Sequence, residues 1–136
     1  MKKTIDFASV PENISFAERM IDEICDEYSI NEDYYGNILI SLTEAVNNAI
    51  QHGNKNDPTK KVQIVFNAAA DLNGFSFTIK DEGNGFDYTN IPDPTEPENL
   101  EKLTGRGVFL MKNLADNVGF YSDGSEIKLD FKVPPN

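Results

Sequence analysis

The stretch that decides the fold is residues 37–53, which read NILISLTEAVNNAIQHG. Two kinds of side chain recur along it, and residues three or four positions apart share one face of a helix. The apolar side consists of Ile38, Leu42, Ala45, Val46 and Ala49, and the polar stripe consists of Asn37, Ser41, Glu44, Asn48 and His52. This spacing predicts an amphipathic helix that is capped by Asn31 and runs to about His52.

The polar stripe contains amides and one carboxylate, and residues 37–52 include no Lys or Arg. A solvated helix face is the simpler interpretation of such a stripe, although solvated faces usually mix Lys with Glu. Amide and carboxylate oxygens suit a hard cation better than they suit salt bridges. The stripe is therefore either a solvated face or one wall of a metal site.

A second candidate feature follows residues 75–80, whose alternating pattern predicts a strand with its odd-numbered side chains on the apolar side. This parity carries Asp81 towards the same side, where a carboxylate is costly unless it accepts hydrogen bonds. The glycines of Asp81-Glu82-Gly83-Asn84-Gly85 permit close approach of the backbone to a flat ligand. Asp81 could form a turn, or it could accept from an exocyclic amine such as that of adenine.

A third feature is Gly105-Arg106-Gly107, which precedes an apolar segment. We expect a third helix from Gly107 to about Asn117. The free N–H groups and the dipole at a helix start attract anions. The two glycines indicate either an ordinary capping turn or a phosphate site.

The remaining pattern completes a two-layer fold. Residues 86–107 contain three prolines and few apolar residues, and a lid or a disordered segment is expected at about 86–104. We expect one domain over residues 1–136, an α/β (α+β) sandwich with a mixed, mostly antiparallel sheet and helices on one face. The further predicted elements are a helix over 16–28, strands over 3–8, 62–68, 118–121 and 127–133, and a hairpin turn at 71–74.

Composition excludes several classes of protein. With 12 Lys and Arg against 23 Asp and Glu, the formal charge is −11, which disfavours direct binding to nucleic acid or to an anionic membrane. No apolar run approaches a membrane span, and the N-terminus turns acidic at Asp6 before a signal-peptide core forms. The prediction is a cytoplasmic protein in which Cys25, the single cysteine, packs in the core instead of acting as a catalytic thiol.

The order of these motifs is more specific than any one of them. Residues 44–49 with His52-Gly53 resemble the N box of the GHKL ATPases, residues 81–86 resemble their G1 box, and residues 105–110 resemble their G2 box. The resemblance covers nearly the whole chain and implies a Bergerat-type fold with a lid between the last two boxes. Within this superfamily the chain is most similar to bacterial anti-sigma factor serine-protein kinases, whose lid resembles residues 97–100.

The resemblance implies ligands and roles. Mg²⁺ and ATP or ADP would bind, with Glu44 as the general base, Asn48 on the metal ion, and Asp81 accepting from adenine. Gly83 and Gly85 would shape the base pocket, and His52 would either cap the helix or lie near the phosphates. The phosphate end would be formed by Thr104, Gly105, Arg106, Gly107 and Val108.

Two functions follow from this resemblance. The first is a protein kinase that phosphorylates Ser or Thr on a small STAS-domain anti-anti-sigma protein. The second is a nucleotide-dependent anti-sigma or partner-switch module with little kinase activity. A sigma factor as a further partner and a homodimer both stay open. The ATP-binding half of a histidine sensor kinase is less favoured, because these 136 residues contain no helical dimerisation segment with a phosphorylatable His.

Overall fold

The computed structural model describes residues 2–68, 74–83, 103–122 and 125–132, and within residues 103–108 it describes the backbone alone. The strands are β1 (Lys2–Ala8), β2 (Lys61–Ala68), β3 (Gly74–Lys80), β4 (Asn117–Tyr121) and β5 (Glu126–Lys132). The α-helices are α1 (Ile14–Glu27), α2 (Glu32–Asn48) and α3 (Leu103–Leu114). A 3-10 turn, Pro11–Asn13, leads into α1, and a π-helical turn, Ala49–Gly53, continues α2.

The five strands form one sheet in the order β1-β2-β3-β5-β4, and every pairing between the described strands is antiparallel. β4 and β5, which correspond to the predicted strands over 118–121 and 127–133, pair with each other. β3 pairs with β5 although α3 and β4 lie between them in the chain. The expected α/β sandwich with a mostly antiparallel sheet is confirmed.

The sheet buries one of its two faces. Alternate residues of β2, β3 and β5 are buried, and the register sets Ile64 opposite Ile79 and Phe66 opposite Phe77. The helices contribute their apolar sides to the same core, as their helical spacing predicts. Their buried residues in α1 and α2 include Ala17, Met20, Ile21, Ile24, Ile38, Leu42, Ala45 and Val46.

Hydrogen bonds between residues that are close in the sequence explain where α2 begins and how it ends. The predicted cap is confirmed, since Asn31 Oδ1 accepts a hydrogen bond from the Asp33 N–H at 2.9 Å. At the other end the Asn54 N–H donates to the Ala49 carbonyl, five residues back, at 2.8 Å. The helix therefore continues past Asn48 to Gly53, but as a wider π-helical turn.

The predicted bounds of the third helix are wrong. α3 begins at Leu103, four residues before Gly107. It ends at Leu114, before the predicted end at Asn117, since Asn117 is the first residue of β4. Glycine has a low helix propensity, which is why the sequence pattern favours a start after Gly105 and Gly107. α3 packs along α2, and such tertiary packing outweighs propensity. Most of the expected lid, residues 86–102, and most of the turn at 71–74 lie outside the described residues.

Cys25 packs against the core, as expected. Burial, assisted by the negative charge of Asp22, raises the pKa of its thiol to about 11. The thiol therefore stays protonated at neutral pH and is a poor nucleophile. In the described part of the chain no helix combines the length and the apolarity needed to cross a membrane.

Candidate functional site

The end of β3 meets the end of α2 at Asp81. The Asp81 N–H donates to the Ser125 carbonyl at 2.9 Å, which extends the ladder with β5 and keeps the side-chain parity of the strand. The carboxylate consequently points to the helix side, where it lies against Gly53. A Cβ atom on Gly53 would overlap Asp81 Oδ2, so only glycine allows this approach.

The turn after Asp81 folds back onto the same glycine. Asp81 Oδ1 accepts a hydrogen bond from the Gly83 N–H at 2.8 Å, and a Cβ atom on Gly83 would overlap the Gly53 carbonyl oxygen. The turn interpretation of Asp81 is therefore correct for Oδ1. Oδ2 has no hydrogen-bond partner among the described residues, so it retains the capacity to accept from a ligand.

The environment of Asp81 disfavours its charge. Burial raises the pKa of the carboxyl to about 6, although the Gly83 N–H and the charge of Lys60 act in the opposite direction. At pH 7 and above the carboxylate is ionised but poorly hydrated. A carboxylate in this state gains more from a neutral N–H donor than a fully hydrated one does.

The polar stripe of α2 is partly enclosed. Ser41 is completely buried and Asn48 is 4% exposed, whereas Glu44 is half-buried and Asn37 is exposed. The solvated-face interpretation is therefore wrong for Ser41 and Asn48. Neither Ser41 Oγ nor Asn48 Nδ2 has a hydrogen-bond partner within the described residues, and an orphaned buried polar group is costly.

The orphaned amide of Asn48 fits a metal ligand. Turning the amide about its last bond exchanges its nitrogen and oxygen, so the same position can present an acceptor to a cation. The described residues contain no group of three or more His, Cys, Asp or Glu side chains that could hold a metal by themselves. Mg²⁺ commonly binds through one or two protein oxygens, water and substrate phosphates, which such a site allows.

His52 lies in the π-helical turn, between Asn48 and the glycine that contacts Asp81. It is half-buried, and burial lowers the pKa of its imidazole, which is therefore neutral at pH 7. This position agrees with the expected helix-end role. A role beside phosphates stays a prediction.

The third motif lies on α3, which packs against α2. Thr104, Gly105, Arg106, Gly107 and Val108 all belong to α3, so the glycines lie inside its first turns and do not precede it. The N–H groups of the first four residues of a helix have no partner within it. The assignment of these residues to phosphate stays a prediction, and Gly85 lies outside the described residues.

Sequence reasoning did not single out Asn54. Asn54 is 1% exposed, and its side chain joins Glu82 to Lys61 through two hydrogen bonds. A Gly-Asn pair after a helix is an ordinary termination signal. No signal in the sequence distinguishes such an Asn from one with long-range partners.

The comparison with known proteins identifies the class. A family model described as the histidine kinase-like ATPase domain matches residues 7–131, and the chain belongs to this family. Adenine nucleotide is the ligand class that an ATPase domain implies.

Particular relatives narrow the group. The chain is 30% identical over 127 residues to the anti-sigma F factor of Anoxybacillus flavithermus, covering 90% of this chain and 84% of the relative. It is 26% identical over 129 residues to the serine-protein kinase RsbW of Bacillus subtilis, covering 87% of this chain and 79% of the relative. The resemblance to the anti-sigma factor kinase group is confirmed.

A solved structure supports the fold. The crystal structure of the RsbU and RsbW domains of a Mycobacterium tuberculosis protein matches with a TM-score of 0.70 at 14% identity. The match covers 100% of this chain, which spans 33% of that protein chain. At this identity the likeness concerns the fold alone.

Proposed function

We propose that this chain is an ATP-dependent protein serine/threonine kinase of the anti-sigma type, which phosphorylates a small STAS-domain anti-anti-sigma partner. The observation that carries the proposal is the contact between Gly53, at the end of the N-box helix, and Asp81, at the start of the G1 turn. Two motifs that are far apart in the sequence thereby form one wall of the proposed nucleotide site. The name of one relative, the serine-protein kinase RsbW, supports the same activity.

Each residue has one proposed task. Asp81 accepts a hydrogen bond from the adenine amine, while Gly83 keeps the turn close to Gly53. Asn48 supplies an oxygen to Mg²⁺, and the N–H groups at the start of α3 face phosphate. Glu44 orients the attacking hydroxyl of the partner and takes its proton.

Bound Mg-ATP would supply the phosphoryl group and neutralise the charge of the phosphates. Phosphoryl transfer depends mainly on positioning and on electrostatic stabilisation, so the protein needs one base and a fixed set of donors. Because ATP and the transcription machinery are cytoplasmic, this function implies a cytoplasmic location.

A switch module with little kinase activity is the second candidate. It is favoured by the relatives that are named anti-sigma F factor, since an anti-sigma factor acts by binding. In this case the nucleotide would set affinity for the partner, and a sigma factor would be a second binding protein. The two functions can reside in one chain.

The test separates nucleotide binding from transfer. Glu44→Gln keeps size and hydrogen bonding but is a much weaker base, so it should bind ATP normally and transfer phosphate ~10²-fold more slowly. Asn48→Ala should instead weaken Mg-dependent ATP binding, with less effect on ADP measured without metal. The assays are calorimetric titration and transfer from labelled ATP to the candidate STAS partner.

Three results would count against the proposal. Glu44→Gln transferring phosphate as fast as the wild type would remove the base assignment. A wild type that binds ATP and a partner but transfers no phosphate would favour the switch module. A folded wild type that binds neither ATP nor ADP, with or without Mg²⁺, would end both functions.

A further inference from the structure

Three segments of the chain are joined by one buried side chain, that of Asn54. Its Oδ1 accepts a hydrogen bond from the Glu82 N–H at 2.8 Å, and its Nδ2 donates to the Lys61 carbonyl at 3.0 Å. Its own N–H closes the π-helical turn on the Ala49 carbonyl. Asn54 thus connects the end of α2, the start of β2 and the turn after β3.

Glu82 forms hydrogen bonds with both Asn54 and Lys61. Its backbone N–H donates to Asn54, while its side chain accepts a hydrogen bond from the Lys61 N–H. Both backbone polar groups of Lys61 are therefore bound by Asn54 and Glu82. Glu82 itself is exposed, so the enclosed member of the pair is Asn54.

Asn54 and Glu82 each directly follow one of the two residues that are in contact at the candidate site. Gly53 precedes Asn54, and Asp81 precedes Glu82, so the Asn54–Glu82 hydrogen bond holds Gly53 and Asp81 in contact. Among the hydrogen bonds of the described residues, it is the one that ties the backbone of the Asp81–Gly83 turn to the end of the helix. Without it, the turn keeps its hydrogen bonds to Ser125 and, through the Glu82 side chain, to Lys61, but among the described residues no backbone hydrogen bond ties it to the end of the helix.

We propose that Asn54 is a positioning residue that fixes the Asp81 carboxylate for recognition of the adenine amine, and so sets selectivity for ATP over GTP. The inference rests on the proposed function of Asp81 as the acceptor for the base. Asn54 acts through Glu82 and the turn.

The consequence of losing Asn54 can be derived from the groups around Asp81. Burial disfavours its charge, whereas the Gly83 N–H and Lys60 favour it. Truncating Asn54 leaves the Glu82 N–H and the Lys61 carbonyl unsatisfied, which favours movement of the turn into water. Asp81 then becomes hydrated, and the pKa of its carboxyl falls from about 6 towards its ordinary value.

The experiment uses the full chain and three variants. Asn54→Ala removes both side-chain hydrogen bonds. Asn54→Asp keeps the acceptor for the Glu82 N–H but loses the donor to Lys61. The matched control is Asn13→Ala, which removes a side-chain hydrogen bond to the Ala8 carbonyl, at the junction of β1 and the 3-10 turn. The readouts are an NMR titration of the Asp81 carboxyl without nucleotide, and the affinities for ATP and GTP.

Asn54→Ala should lower the pKa of Asp81 and weaken ATP binding by about tenfold or more, with a smaller effect on GTP. Asn54→Asp should retain selectivity for ATP and raise the pKa of Asp81, because a second negative charge lies nearby. Asn13→Ala should change thermal stability alone. If Asn54→Ala does not fold, Asn54→Asp decides the question alone: it keeps the acceptor for the Glu82 N–H, so a folded Asn54→Asp that loses selectivity for ATP would overturn the inference.

The inference is overturned if a folded Asn54→Ala keeps the wild-type titration of Asp81, or if Asn54→Asp loses selectivity together with Asn54→Ala. A wild type that binds no nucleotide would contradict the proposed function instead. The titration of Asp81 needs no ligand, so it would still decide whether Asn54 positions the carboxylate.

Discussion

At the scale of single residues, the Asp81 carboxylate accepts a hydrogen bond that forms a turn, while burial disfavours its charge. One carboxylate oxygen forms the turn with the Gly83 N–H, and the other lies against Gly53 without a partner among the described residues. Burial makes the charged form costly in the absence of ligand. A ligand that donates to Oδ2 would relieve part of this cost.

Asp81→Asn should therefore stabilise the ligand-free protein and weaken nucleotide binding. The amide removes a poorly hydrated charge but adds a competing donor, and the affinity for ATP should fall by ~1.5–3 kcal/mol. Thermal unfolding at ~pH 7.5 without nucleotide and calorimetric titration with ATP measure the two effects. A variant that binds ATP as well as the wild type would leave Asp81 with its turn role only.

The pH dependence of Asp81 has a defined sign. Its pKa in the fold is about 6, above the ordinary value of 3.8, so its charge destabilises the fold fully above about pH 6. This destabilisation is relieved as the pH falls from 6 to 3.8. Nucleotide affinity should change in the opposite direction and fall about tenfold between ~pH 7.5 and ~pH 5, because the protonated carboxyl is a weaker acceptor.

Comparison of the wild type with Asp81→Asn at each pH isolates this residue, since protonation of the nucleotide itself affects both proteins equally. Stability comes from thermal unfolding, and affinity comes from titration. An identical pH profile in the two proteins would show that Asp81 does not titrate in this range.

Asp81 and Asn54 differ in how far the sequence predicts their positions in the structure. The alternation along residues 75–80 correctly predicts that the Asp81 side chain lies on the helix side of the sheet, because the alternation of side chains is a local property of a strand. Asn54 bonds to Glu82 across 28 residues of sequence. A contact at that separation depends on how α2 docks on the sheet, which no local pattern specifies.

At the scale of elements, glycine has opposite roles at two positions. Gly83 lies so close to Gly53 that any side chain overlaps its carbonyl oxygen, whereas a Cβ atom on Gly36, within α2, meets nothing within 4 Å. The first glycine is required by packing. The second carries only the entropic penalty of glycine in a helix.

Gly36→Ala should stabilise the protein by about 0.5–1 kcal/mol, since alanine is the better helix former. Gly83→Ala should destabilise it by about 1–3 kcal/mol through overpacking, and should also abolish ATP binding. Urea unfolding of both variants provides the measurement, with Gly36→Ala as the control for the chemical change. Equal stabilities of the two variants would contradict the close contact between Gly83 and Gly53.

The elements themselves follow from periodicity. The helix over residues 37–53, its Asn31 cap and the alternating strands are confirmed because each depends on neighbours within a few residues. The start of α3 is the exception, since packing against α2 overrides the low propensity of two glycines. The proposed phosphate end of the site could not be derived from periodicity, because its glycines and the preceding segment carry no period.

At the scale of the whole molecule, the formal charge of −11 opposes the approach of an anionic nucleotide. The association rate for ATP should therefore rise as NaCl increases from ~50 to ~500 mM, because salt screens repulsion between exposed charges. Stopped-flow binding of a fluorescent ATP analogue measures this rate, and the matching analogue of uncharged adenosine is the control. A rate that falls with salt would indicate that local positive charge outweighs the net charge.

The π-helical turn has a consequence for insertions and deletions. It contains one residue more than an α-helical turn would need, so removing one residue there would restore a regular helix. Every later residue would then be rotated by about 100° and shifted by about 1.5 Å relative to Asn48. Gln51 is exposed and tolerates substitution on steric grounds, but its deletion would carry Gly53 and Asn54 away from Asp81. In this segment the number of residues is therefore under stronger constraint than the identity of some of them.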